Sequence, residues 1–213
     1  HTPGQRQFVN LEKLRVYYKG RHQLDDAAFE QMIIDRKEAQ ALYSDKHRKA
    51  LVEMAREAGY PLASHDDATL EHVDEAAEMG LTISEFPTTL EAARAAHARG
   101  IRTIMGGPNV VRGGSHSGNV SAAELAEEGV LDALSSDYVP ASLLHGALLL
   151  HGKHGIALPK ALATVTSNPA EMVDMDDRGR IAKGKRADLV RFRQLPDGVP
   201  AVRRVWREGM RVL

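Results

Sequence analysis

The chain has 213 residues, enough for one large domain, or for one domain plus part of a second, around a real core. Apolar residues make up 43% and charged residues 27%, with no apolar run long enough to span a bilayer, which excludes a disordered chain and a membrane-spanning one. A net charge of -1 excludes a global field that would draw the chain to nucleic acid or anionic lipid, and the absence of cysteine removes disulfides, thiolate nucleophiles and cysteine-type zinc sites.

The chain opens on "HTPG", without an initiating Met or a signal-like apolar segment, so it is expected to be part of a longer, cytoplasmic protein. Over residues 24–58 apolar residues recur at helical spacing, and Ser44 offers a cap between two predicted helices with charged outer faces. After Gly59 a pattern repeats: a short apolar stretch, a polar turn, then an amphipathic helix closed by Gly. "PLASHDD" precedes a helix over 68–79, and "LTISEFP" precedes one over about 89–99. "IRTIMGG" runs into the glycine-rich stretch "GPNVVRGGSHSGN", after which Ser121 and Glu124 form a capping box. "VLDALSSDYVP" supplies a fourth strand.

Strands alternating with helices at this spacing imply βα units in a parallel sheet, and four such units make half of an eight-unit barrel. Residues 141–174 read as helices that would cover the sheet, with Pro159 at a helix entry, a break at Asn168-Pro169, and "HGKHG" ending a helix. "GRIAKGKRADLVRF" and "AVRRVWREGMRV" are β-rich with Gly and Asp turns, so a small separate sheet is expected. The boundary falls near Asp174, dividing the chain into 1–174 and 175–213.

In a parallel βα fold, residues just past a strand project into the common mouth where ligands bind. His65, Asp66, Glu85, the stretch 106–119 and Asp137 occupy such positions. Imidazole and carboxylate donors from separate strands suit a hydrolytic divalent metal. The plainer alternative is that Asp66 or Asp67 caps the following helix, with Asp67 the better fit to a cap or solvent residue, and that His65 is a polar loop residue. Asp137 could bind metal and take a proton from attacking water, or could serve only as a cap before Pro140. The glycine-rich stretch would let backbone N–H groups approach a polyphosphate, with Arg112, His116, Ser117 and Asn119 as further donors; a flexible lid without ligand contact fits the pattern equally. His72, His97, His145, His151 and His154 fall within helical stretches and read as packed or solvated.

"TSNPAEMVDMDDRGRIAKGKRADLV", with Asn168-Pro169-Ala170, Gly179-Arg180-Ile181 and the run from Gly184 to Leu189, resembles the ending of amidohydrolase-superfamily enzymes. "HTPGQRQF", "SHDDAT", "SEFPTT", "GGPNVVRGGSHSGN" and "LSSDYVP" are similar to the phosphonate-metabolism branch of that superfamily, the PhnM-type ribose 1-methylphosphonate 5-triphosphate diphosphatases. The resemblance implies an α/β fold: the C-terminal half of a distorted (βα)8 TIM-type barrel plus the C-terminal strands of a small β domain. It also implies that a His-x-His metal motif on the first barrel strand lies outside this sequence.

By motif match His65 corresponds to the fifth-strand histidine ligand and Asp137 to the eighth-strand aspartate. Glu85 stands on the sixth strand where many relatives carry histidine, and His1 lies near an earlier strand end. The resemblance therefore implies a divalent metal, zinc or manganese or similar, held by His65, Asp137, His1 and Glu85. It implies pyrophosphate release from a phosphorylated ribose methylphosphonate, with other phosphonate-degradation enzymes acting on the product, no nucleic-acid or membrane partner, and an oligomeric state left open. Two competing readings remain at this point: hydrolysis of a cyclic amide or an amine, as in dihydroorotases and deaminases, and a non-catalytic phosphate-binding barrel.

Overall fold

The computed structural model describes residues 2–6, 11–22, 24–115 and 118–213, and divides into two units, His1–Leu62 and Ala63–Leu213. In the first unit α1 (Leu11–His22) packs with α2 (Asp26–Ala58). Arg15 ties the pair, donating to Asp26 at 2.7 Å and Glu30 at 2.6 Å with its guanidinium 4.9 Å from the centre of the Phe29 ring. Lys19, and Arg15 after it, hold the Asp26 carboxyl below its ordinary value.

The expected division at Ser44 is absent, because α2 runs unbroken for 33 residues. Between Asp26 and Ala58 the sequence has neither Gly nor Pro, so a mid-helix serine exacts only its modest propensity cost. The real boundaries are Asp25, whose carboxylate accepts the Ala28 N–H at 2.8 Å, and Gly59, whose φ of 68° turns the chain out of the helix.

The second unit is built on four parallel strands in sequential order: β1 (Ala63–His65), β2 (Ile83–Glu85), β3 (Arg102–Gly106) and β4 (Ala133–Ser135). The helices α3 (Leu70–Glu78) and α4 (Leu90–Ala98) make the first two crossovers, and the short α5 (Gly107–Arg112) and α6 (Ala122–Glu127) make the third. Each crossover returns the chain to the same end of the sheet, so the four C-terminal strand ends form one rim. The result is an open segment of a (βα)8-type barrel. Thr69, Thr89 and Ser121 start α3, α4 and α6 by accepting the N–H groups of His72, Ala92 and Glu124.

Successive strand residues face opposite sides. Met105 and Leu134 join Val110, Leu125 and Leu150 in one core cluster, while Ile83 and Ala133 pack with Met172 in another. Three further helices follow, α7 (Ser142–His154), α8 (Leu158–Ala163) and α9 (Ser167–Met172). "HGKHG" does end α7, at Gly155, and Pro159 does open α8. The break expected at Asn168-Pro169 falls earlier, at 164–166, and Pro169 sits in the first turn of α9, where its missing N–H leaves no helical bond unmade.

The chain ends in an antiparallel sheet of β5 (Leu189–Gln194), β6 (Pro200–Arg207) and β7 (Met210–Arg211), preceded by turns rather than strands over 176–188. Asp188 fastens the entry to this sheet: it accepts the Glu208 N–H at 2.9 Å, which with Arg186 holds its carboxyl below the ordinary value. Among the described residues no helix is long and apolar enough to cross a membrane.

The approach of α5 to α7 depends on Gly107. A Cβ placed there would stand 2.5 Å from Ser142 Oγ and 3.1 Å from the Ser142 backbone carbon. Gly107→Ala is expected to destabilise the protein by about 1–3 kcal/mol, read as a lower midpoint in urea unfolding.

Candidate functional site at the sheet rim

His65 and Glu85 end neighbouring strands and are register partners, so their side chains share one face of the sheet. His65 Nδ1 lies 2.9 Å from Glu85 Oε2, and its Nε2 lies 3.4 Å from Asp66 Oδ2. Phe86 meets the imidazole edge-on, with ring centres 5.6 Å apart. The His65 side chain is 48% exposed and that of Asp66 only 6%, so the pair opens from a buried carboxylate to an accessible ring.

The chain turns sharply where these groups stand. Asp66, Phe86 and Asp137, each just past a strand end, have φ of 57°, 56° and 47°. Left-handed backbone at non-glycine residues costs on the order of 1–3 kcal/mol each and persists only where surroundings over-determine it. Here the Asp66 N–H donates to the Glu85 carbonyl and the Phe86 N–H to the Ile104 carbonyl, both at 2.9 Å, which carries the ladder one rung past the strands before the chain bends away.

Asp67 is neither a cap nor a solvent residue. Thr69 takes the cap, and the Asp67 side chain is fully buried, accepting hydrogen bonds from Ser64 and, at 2.7 Å, from Ser84. Those serines are themselves register partners on β1 and β2. The signal was present as a serine in the middle of each of two short strands, but only the pairing of β1 with β2 shows what they serve.

Toward the other edge of the sheet, Asp137 follows β4 with its Oδ2 3.3 Å from where a Cβ on Gly106 would be; the glycine at the end of β3 leaves room for the carboxylate. The first half of the glycine-rich stretch is helical, over 107–112, so that part of it is neither a flexible lid nor an open anion-binding loop. Gly106 and Gly107 enter α5, Gly113 closes it, and Asn109 accepts the Ala122 N–H at 2.9 Å to fasten α5 to the start of α6. Arg112, the last residue of α5, is exposed and donates to the Tyr138 hydroxyl, which brings it beside the residue after Asp137. Tyr138 and Phe86 were not singled out from the sequence, although each directly follows a candidate site residue. Asn119 is half-buried between α5 and α6. His1, His116 and Ser117 lie outside the described residues. Other histidines make contacts away from the rim: His151 meets the Ile156 carbonyl, His154 meets Glu127, His72 accepts the Ala68 N–H, His97 stands 3.6 Å from Asp132, and His47 stacks on Tyr43.

Among the described residues no three His, Asp or Glu side chains are gathered to hold a metal ion. Two donors nevertheless fit one. The 3.4 Å between His65 Nε2 and Asp66 Oδ2 matches the roughly 3.3–3.4 Å edge expected between two ligands that each stand about 2.0–2.1 Å from a tetrahedral zinc. Asp137 lies along the same rim, and further ligands would come from outside the described residues.

The amidohydrolase family model matches residues 1–213, the whole of this sequence. The chain is 48% identical over 214 residues to the alpha-D-ribose 1-methylphosphonate 5-triphosphate diphosphatase of Escherichia coli (strain K12), covering 100% of this chain and 56% of that protein. Against the dihydroorotase of Methanopyrus kandleri it is 35% identical over 85 residues, 31% of this chain and 20% of that one. In structure it is similar to A. niger ochratoxinase, with a TM-score of 0.56 at 18% identity over 76% of this chain and 44% of the other. The chain thus spans little more than half the length of the diphosphatase.

Removing the Asp67 carboxylate would leave the buried Ser84 hydroxyl without its acceptor and the Ser64 hydroxyl with only the Ile83 carbonyl at 3.4 Å. Asp67→Ala is expected to destabilise the fold by at least about 1–3 kcal/mol, since a buried hydroxyl left without an acceptor bears its desolvation cost unpaired. Chemical denaturation with tryptophan fluorescence or circular dichroism measures it.

Proposed function

Because this chain belongs to the amidohydrolase family, we propose that it is part of a metal-dependent hydrolase that releases pyrophosphate from alpha-D-ribose 1-methylphosphonate 5-triphosphate. The observation that carries this reading is the 48% identity to the Escherichia coli diphosphatase along the entire chain. The reading assigns residues 1–174 to the barrel and 175–213 to a small β domain. The antiparallel sheet of β5, β6 and β7, set apart from the parallel one, supports that division.

In this reading His65 and Asp137 hold a divalent metal, zinc or manganese, together with His1 and ligands from the rest of the protein; Asp66 stands beside His65 as a further donor. When bound, the metal lowers the pKa of water and offsets charge on the phosphoryl group. Asp137 accepts the proton that the attacking water loses. The water oxygen bonds to the α-phosphorus, the bond from that phosphorus to the bridging oxygen breaks, and pyrophosphate leaves. Arg112, positioned by Tyr138, donates to the triphosphate, and His116, Ser117 and Asn119 from the same stretch complete its binding. The product still carries its carbon–phosphorus bond, so an enzyme that cleaves such bonds would act next. A cytoplasmic setting belongs to the same reading, since triphosphates are made and held inside cells.

The full-length protein is expected to release pyrophosphate from this substrate, to lose that activity on chelation, and to regain it with added divalent metal. Asp137→Asn should lower kcat roughly 10²–10⁴-fold while KM changes little, the range for losing a proton acceptor in the transition state. Steady-state kinetics with pyrophosphate detection reads both; a folded, metal-loaded protein that releases none would overturn the assignment.

A further inference from the structure

We propose that Glu85 is a positioning residue rather than a metal ligand: it holds His65 in the tautomer that carries its proton on Nδ1, which turns the Nε2 lone pair toward the metal. The inference rests on the metal-hydrolase reading and assigns within it a role to a residue whose position in the sequence suggested direct ligation.

A neutral imidazole has one N–H and one lone pair, so its two nitrogens cannot do the same thing. The distances divide them. At 2.9 Å, Nδ1 and Glu85 Oε2 are at the usual length of an N–H···O hydrogen bond. At 3.4 Å, Nε2 and Asp66 Oδ2 are too far apart for a good one and are spaced as two ligands of one tetrahedral ion. The proton therefore belongs on Nδ1 and the lone pair on Nε2.

The supports around the ring agree with this division. Register pairing places Glu85 on the rung beside His65, within reach of the ring nitrogen nearer its own backbone, and the edge-on contact with Phe86 restricts rotation of the imidazole. A carboxylate accepting from the far nitrogen of a ligating histidine orients the ring and raises its basicity. The Glu85 oxygen facing His65 is then committed to the hydrogen bond.

The test uses the full-length protein, stripped of metal and titrated with Zn²⁺ against a chromophoric chelator, together with ¹⁵N NMR of the His65 imidazole in the metal-free state. His65→Ala should lose most of the Zn²⁺ affinity. Glu85→Ala should lose roughly 10–100-fold, as removing an outer partner of a metal-ligating histidine does. Glu85→Gln, whose amide oxygen still accepts from Nδ1–H, should recover most of that loss. The NMR spectrum should show the Nδ1–H tautomer in the wild type and in Glu85→Gln but not in Glu85→Ala. If the alanine variant does not fold, Glu85→Leu, similar in size and without an acceptor, takes its place. Glutamine as damaging as alanine, with the tautomer unmoved in the alanine variant, would make Glu85 a ligand and overturn the proposal. Unchanged Zn²⁺ affinity in His65→Ala would instead overturn the metal reading, and the tautomer result distinguishes the two.

Discussion

The rim of the parallel sheet hangs on the buried carboxylate of Asp67. Burying a charged group is unfavourable unless it is hydrogen-bonded, and here the serine hydroxyls of two adjacent strands supply that pairing from below. Its backbone works in the other direction. The Asp67 carbonyl accepts the Thr88 N–H at 2.8 Å, the Ala68 carbonyl accepts the Thr89 hydroxyl at 3.0 Å, and the Thr88 carbonyl accepts the Val120 N–H at 3.1 Å. The segments following β1 and β2 and the one leading into α6 are thereby stitched together directly above the sheet. A chemical site requires side chains held to within fractions of an ångström, and this stitching provides such a base without leaving the work to mobile loops.

The strained residues lie where the stitching is strong enough to hold them. Asp66 and Phe86 take left-handed backbone next to the Asp67 clamp, and each uses the bend to redirect its side chain at the mouth: a carboxylate toward His65 and a ring against its edge. Asp137 takes left-handed backbone just after β4, where the absence of a side chain on Gly106 leaves space for its carboxylate. Strain of this kind is tolerated when packing elsewhere is tight. The packing is tight because the contacting residues are small: Ala92, Ala93 and Ala96 on α4 are fully buried, and Gly107 and Gly146 let α5 and α7 approach closely.

Much of this organisation was legible in the chain itself. The alternation of short apolar stretches with amphipathic helices, the threonine and serine caps and the closing glycines are local signals, since each depends on residues within a turn or two of one another. They were sufficient to place four strands in a parallel sheet and to put His65, Glu85 and Asp137 at strand ends. Local signals failed where two conformations were locally acceptable. Ser44 can cap a helix or sit inside one, and with no breaker nearby the longer helix prevailed. The first half of the glycine-rich stretch can form an open loop or enter a helix, and the close approach of α5 to α7 selected the helix.

Sequence alone therefore determined the kinds of element, their order and the residues that arrive at the rim, because strand ends and helix starts follow from periodicity and capping. Tertiary structure decided what those residues do there. That Asp67 turns inward to two serines, that Glu85 faces a ring nitrogen of His65, and that Arg112 reaches the neighbour of Asp137 all depend on contacts between segments distant in sequence. Register and burial are properties of neighbouring strands and packed helices, and no single segment carries them.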